Sequence, residues 1–318
     1  MPPSGASTTR RWTISSARDL VGYGAEPPDP RWPGGARLAL SFVLNYEEGG
    51  ESTPLEGDGA SEAFLHEVVG APAAAGRRDL NAESMFEFGS RVGFWRVWRM
   101  FTQHRVPLTV YAVGQALERN PAAARAMVEA GWEVASHGWR WIDYAGMPEA
   151  EEREHMRRAI DAIERLCGAR PVGWYTGRAS ENTRRLVVEE GGFLYDSDSY
   201  ADELPYWVEA ASRRHLVIPY TLDANDFKFL IANGFVTADD FFAYLVDTFE
   251  QLYEEGGRLM NVGLHCRIVG RPGRARGLAR FLEHVREREG VWVTTRADLA
   301  RHWHERFAPE GESGGGVA

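Results

Sequence analysis

Only two cysteines, Cys167 and Cys266, occur in the 318 residues. They are too few for a disulfide framework, which fits a reducing compartment. No apolar run approaches the roughly 20 residues that span a bilayer, so no membrane-spanning segment is expected. Met1 to Arg11 is rich in Ser, Thr and Pro and lacks an apolar centre, so it does not read as a secretory signal. A cytoplasmic protein is the expectation. Positive charge is also in short supply. The formal net charge is −10, which argues against a nucleic-acid or anionic-membrane partner. No internal repeat of fixed period is present. What remains is 44% hydrophobic residues, with eleven Trp and eleven Tyr. That is enough for one large core and for aromatic walls around a flat polar small molecule.

The stretch Leu40 to Gly50 organises the rest. Apolar and β-branched residues stop abruptly at Glu47, Glu48, Gly49 and Gly50, which reads as a buried strand over 37–45 delivering acids to its carboxyl end. A long irregular segment, 49–78, follows, with a short helix expected over 61–69 and a longer one over 90–104. Strands and helices then alternate. Strands are expected at 107–113, 132–136, 171–175, 193–195, 216–220, 259–264 and 291–294. Helices are expected from Asn120-Pro121 to Gly131, then at 149–167, 181–190, 237–255, 273–289 and 296–307. Residues 1–18 and 308–318 read as disordered tails around a single domain, 19–307, that begins with an extended arm. This alternation implies an α/β fold, a deformed (β/α) barrel of about seven parallel strands or a closely related open one. Such folds bind ligands at the carboxyl ends of their strands. Glu47, Glu48, His137, Arg178, Asp196, Asp223, Asp226 and His265 share that predicted rim.

At these residues the chain resembles the polysaccharide-deacetylase (NodB-homology) superfamily. Within it the chain is most similar to the allantoinase branch, with the cyclic imide hydrolases as near relatives. The resemblance rests on Asp19–Gly24, Ser41–Gly50, Ser136–Tyr144, Arg170–Arg178, Leu194–Asp198, Ile218–Asp223 and Gly263–Arg267, and spans nearly the whole chain. It implies hydrolysis of allantoin to allantoate in purine breakdown, and a homo-oligomer, a tetramer being favoured. The departures from the deacetylases bear on the chemistry. Their paired aspartates are replaced by Glu47 and Glu48. The second of their two metal-binding histidines is replaced by Trp141, four residues after His137. Tyr175 stands where they carry a strand arginine, with Arg178 displaced toward the loop. A zinc site needs about three protein donors, so the expectation is a site with no metal and no cofactor. A reduced site of Glu48, His137 and one further donor is the alternative.

In this reading Glu47 or Glu48 activates water, and the sequence does not choose between them. His265 is the general acid. His137 holds the substrate carbonyl or the carboxylate. Arg178 offers forked donors to a carbonyl or pairs with Asp196 or Asp226. Asp223 and Asp226 orient His265 or Arg178. Asn45, Tyr175, Trp139 and Trp141 are candidate pocket walls. Cys266 is not read as a nucleophile, since adjacent strand residues point apart. The rival functions are a cyclic imide or hydantoin amidohydrolase, a metal-dependent carbohydrate deacetylase and a ligand-binding barrel without activity.

Overall fold

A computed structural model describes residues 18–308. The expected disordered tails lie outside the described residues except for Arg18 and Ala308. The first strand, β1 (Leu38–Tyr46), is buried at all nine positions, as a near-continuous apolar run requires when both faces of a sheet are covered. A continuous helical stretch follows the long 49–78 segment. It comprises α1 (Leu80–Phe88), a π-helical turn (Gly89–Gly93) and α2 (Phe94–His104). Then come β2 (Thr109–Ala112), α3 (Gly114–Arg119), α4 (Pro121–Glu129), β3 (Glu133–Ser136) and α5 (Glu149–Cys167). The chain continues through β4 (Gly173–Trp174), α6 (Thr183–Glu190), β5 (Tyr195–Asp196), β6 (Tyr206–Ala210) and β7 (Arg213–Val217). It ends with α7 (Ala238–Glu255), β8 (Arg258–His265), α8 (Cys266–Val269), α9 (Pro272–Arg286), β9 (Val291–Val293) and α10 (Arg296–Phe307).

The strands form one curled sheet in the order β6-β7-β5-β4-β3-β2-β1-β8, and β9 joins β1 beside β2. Every pairing is parallel except the β6–β7 hairpin. The curl does not close: its free edges, β6 and β8, are not paired, and beyond the β6–β7 hairpin the gap is crossed by an isolated bridge between Asn225 and Gly263. The outer face carries the main core, where Phe42, Phe94, Phe101, Phe241, Phe249 and Phe281 pack between sheet and helices. Leu299 and Trp303 of α10 cap the inside, against Ile218 and Leu259. No helix among the described residues is long and apolar enough to cross a membrane.

Helix boundaries follow their caps. α5 carries Glu149, Glu151 and Glu152 in its first turn and stops at left-handed Gly168, matching the dipole at one end and a glycine cap at the other. Thr237 and Asp240 form a reciprocal capping box on α7. Three expectations are corrected. Residues 61–69 form no helix, because Ser61 and Glu62 are tied across the segment, Ser61 N to Ala74 O and Glu62 N to Ser52 O. The helix expected from 90 starts at Leu80, where Asp79 accepts from the amides of Asn81 and Ala82. The strand expected over 216–220 runs instead over 213–217, as the second arm of the unanticipated β6–β7 hairpin.

Candidate active site

β1 hands the site its first groups. Side chains alternate along a strand, so Asn45 and Glu47 face the barrel interior while Tyr46 and Glu48 face the helical layer. Asn45 Nδ2 donates to the Tyr220 hydroxyl at 2.8 Å and to Leu264 O at 3.0 Å, and its Oδ1 is buried without a partner. Glu48 lies under the π-helical turn, where a Cβ on Gly89 would come within 2.3 Å of its Oε1. The chain turns at once: Gly50 N donates to Glu47 O, and Gly49 takes a φ of 99° that glycine adopts freely.

Glu47 is the hub. Its Oε1 lies 3.3 Å from His137 Nε2 and 3.5 Å from His265 Nε2, and its Oε2 accepts from Arg267 Nη1 at 2.5 Å. Burial alone would raise this carboxyl. Arg267, His265 and His137 together outweigh burial and hold it well below the usual carboxylate range. Glu48 behaves oppositely. Burial, opposed by Arg267 and reinforced by neighbouring Glu47, pushes its carboxyl up to about 7. Its oxygens accept from the backbone amides of Glu47 and Arg267, both at 3.1 Å.

His137 follows β3, and its Nδ1 lies 3.2 Å from Tyr175 O. His265 ends β8, and its Nδ1 lies 2.6 Å from Asp226 Oδ1. The other Asp226 oxygen accepts from the amides of His265 and Val269, at 2.8 and 2.9 Å. This fully buried carboxylate therefore fixes both the ring and the chain that carries it. Burial lowers the His265 pKa, but Glu47 and Asp226 more than compensate, and the net shift is upward. Cys266 turns to the opposite face. Burial, with Glu48 and Glu47 nearby, raises its thiol well above the ordinary value.

Arg267 is the member that sequence reasoning missed. It sits in the short α8, buried, with its guanidinium carbon 4.4 Å from the Phe86 ring and 4.7 Å from the Trp141 ring. Its Nε and Nη2 have no hydrogen-bond partner. The available signal was positional: a cation two residues beyond a strand-end histidine.

The other candidates divide. Trp141 seals one side, its amide bonded to Gly50 O and its ring stacked on Phe64 at 6.0 Å. Tyr175 lies beneath, its ring 4.9 Å from that of His137 and 4.7 Å from that of Tyr111. Arg178 caps Trp141, donating to its carbonyl at 2.6 Å and to Glu62 at 3.2 Å. Its expected pairing with Asp196 or Asp226 does not occur. Asp196 is taken by Arg184 at 2.8 Å and lies 3.2 Å from His215, while Asp226 serves His265. The expectation that Asp223 orients His265 or Arg178 is also corrected. Asp223 lies on the surface, bound to Lys228 at 2.8 Å and to the Tyr244 hydroxyl. Trp139 is no pocket wall either. It packs with Met156 and Ile160 of α5 under the Arg158 guanidinium.

A resident metal does not fit these donors. Glu47 and the two histidines approach one another, but the opposite oxygen of Glu47 is matched to a guanidinium. Trp141, which seals one side, has only a ring N–H donor and no lone pair to offer an ion. Among the described residues no group of three or more His, Cys, Asp or Glu is disposed to hold an ion.

Known proteins resemble this chain over most of its length. The polysaccharide deacetylase family profile matches residues 80–193. A Schizosaccharomyces pombe protein, named for the polysaccharide deacetylases, is 46% identical over 308 residues, covering 90% of this chain and 96% of its own. A Pseudomonas aeruginosa PAO1 crystal structure, described as a probable polysaccharide deacetylase, is 56% identical with a TM-score of 0.89. It covers 91% of this chain and 98% of its own. The crystal structure of PuuE allantoinase is 55% identical with a TM-score of 0.90, covering 92% and 99%.

Proposed function

This chain belongs to the polysaccharide deacetylase-like (NodB-homology) superfamily of hydrolases, and on that premise we propose that it opens the ring of allantoin to give allantoate, in purine breakdown, without a resident metal. The observation that carries the reading is the composition of the site. A carboxylate lies between two histidines and an arginine, under a tryptophan in place of a metal-binding histidine. The 55% identity to a protein described as an allantoinase supports the same substrate.

The chemistry is hydrolysis of a ring amide. Water attacks the ring carbonyl carbon and gives a proton to Glu47. The carbonyl oxygen takes up negative charge, and cationic and N–H donors stabilise it. The C–N bond then breaks, and the leaving nitrogen takes a proton from His265 Nε2, which Asp226 steadies through Nδ1. The proton on Glu47 returns to His265, so both groups end as they began, and the carboxylic acid product releases its remaining proton to solvent to become the carboxylate. Arg267 and His265 hold the free Glu47 carboxyl low. As negative charge develops on the attacked carbonyl oxygen and draws on the same two cations, their hold on Glu47 weakens and it becomes a stronger base, so its resting state does not disqualify it. Tyr175, Trp141 and Asn45 form the walls and floor.

The names of the other relatives favour a second reading, removal of acetyl groups from an amino sugar, which is also amide hydrolysis. One experiment separates the two. Chelator-stripped protein of assayed metal content is given racemic allantoin, succinimide, hydantoin and N-acetyl chitooligosaccharides. Allantoate formation at an unchanged rate after stripping is expected. Acetate release that depends on added metal, with no allantoate formed, would overturn the reading.

A further inference from the structure

The Arg267 guanidinium is used on one side only. Nη1 holds Glu47 at 2.5 Å. Nε and Nη2, which lie along the other edge of the same planar group, are buried and bond to nothing. Leaving buried N–H donors of a cation unpaired costs free energy, so a fold keeps them where something else completes them. The Phe86 and Trp141 rings prevent the plane from rotating to find partners elsewhere. An N–H pair along one guanidinium edge is shaped for two oxygens on one atom.

We propose that Arg267 is a catalytic residue whose free edge binds the two oxygens of the attacked carbon, and that the same edge holds the carboxylate product. This rests on the ring-opening reading. The intact ring carbonyl offers the edge a single oxygen. Once water has added, that carbon carries two, and one bears the developing charge. Ring opening leaves a planar carboxylate in the same place. The edge therefore binds the tetrahedral species better than the substrate, and that difference lowers a barrier. The same guanidinium also touches Glu47, so it spans the base and the carbon that the base's water attacks.

The test compares the wild type with R267K, which keeps a cation beside Glu47 but has no planar edge. The expected result is a fall in kcat of about 100- to 1000-fold with KM changed less than about threefold. Allantoate affinity measured by calorimetry should fall at least about tenfold. The melting temperature establishes that R267K is folded. A measurement on the wild type alone needs no variant: allantoate should inhibit competitively, at least about tenfold more strongly than its primary amide, whose NH2 would face the donor edge. Wild-type kcat and allantoate affinity in R267K, or equal inhibition by acid and amide, would overturn the proposal. Acetate titration keeps the two readings apart. If the wild type turns over no ureide but binds acetate, and R267K does not, the carboxylate edge stands and the ring-opening reading falls. Ureide turnover that is indifferent to Arg267 sinks the edge alone.

Discussion

At the scale of single residues, adjacent glutamates end up with opposite chemistry because a strand sends them to opposite faces. Glu47 touches both histidines and Arg267, whereas Glu48 is sealed under Gly89. E47Q should lose on the order of 100- to 10,000-fold in kcat. E48Q should stay within about tenfold of wild type, and steady-state kinetics on the pair decides the assignment. Glu48 should also leave a mark on stability. Its carboxyl rises from 4.5 to about 7 on folding, so the folded state binds its proton more tightly than the unfolded state. The stability this group lends is complete below about pH 4.5 and is lost as pH rises through about 7. Denaturant melts at pH 5 and pH 8 should reveal a wild-type decline that is smaller in E48Q. D226N removes one of the two charges that raise His265. The alkaline limb of kcat/KM should then move to lower pH, because His265 must be protonated to act as the acid. Much of this cluster was legible from strand-end positions. Asp226 and His265 meet because one comes after β7 and the other ends β8, across the open seam. Asp223, three residues earlier in the chain, could not be separated from Asp226 by sequence alone. The turn at Asn225, which aims one inward and leaves the other outside, is a tertiary feature. Arg267 was hidden for a similar reason, since a charge beyond a strand end ordinarily reads as surface.

At the scale of elements, the π-helical turn between α1 and α2 governs how closely the helical layer approaches the site. Its glycines are required by contact, not by unusual dihedrals. A Cβ on Gly93 would lie 2.0 Å from Cys266 O, and one on Gly89 would strike Glu48. A Cβ on Gly270 would lie 2.1 Å from the same Cys266 carbonyl and 2.4 Å from Gly93 Cα. The Cys266 carbonyl is thus accommodated where two glycines pack against each other. G93A should cost about 1–3 kcal/mol of stability through overpacking and lower activity by displacing Arg267, measurable by thermal melting and by kcat. The 49–78 segment is the second such element. Glu62 pairs with Arg178 and Glu67 with Arg274, while Phe64 lies on Trp141. Its length and composition marked it as irregular, but its internal pairings were invisible. That is why a helix expected over 61–69 gave way to a strap tied by Ser61 and Glu62. Where local signals were strong, as in the acidic opening and glycine closure of α5, sequence and structure agree to the residue.

At the scale of the whole molecule, the defining feature is the open seam between the β6–β7 hairpin and β8. Gly263 is required there, since a Cβ would lie 2.2 Å from Asn225 Nδ2 and 2.5 Å from the Tyr220 hydroxyl. A cavity of about 510 Å³ lines the outer side of the seam, with Tyr200, Glu203, Tyr220 and Asn261 in its wall. Alternation of strands and helices made a barrel legible. Alternation did not decide between a closed barrel and a closely related open one, because a missing strand pairing has no sequence signal. Arg296, fully buried, does the joining. It donates to Asn261 Oδ1 on β8, to Ser197 Oγ after β5 and to the carbonyls of Ile218 and Pro219 after β7, while its amide donates to Thr109 Oγ1 on β2. R296L would strand these acceptors and should cost on the order of 3–5 kcal/mol in chemical denaturation. The order of these contacts along the chain also bears on synthesis. A ribosome releases β2, β5, β7 and β8 before the residue that bolts them together. The barrel therefore cannot be completed piecemeal as it emerges, and a nascent chain stalled anywhere before α10 presents an unfastened sheet to the chaperones around it.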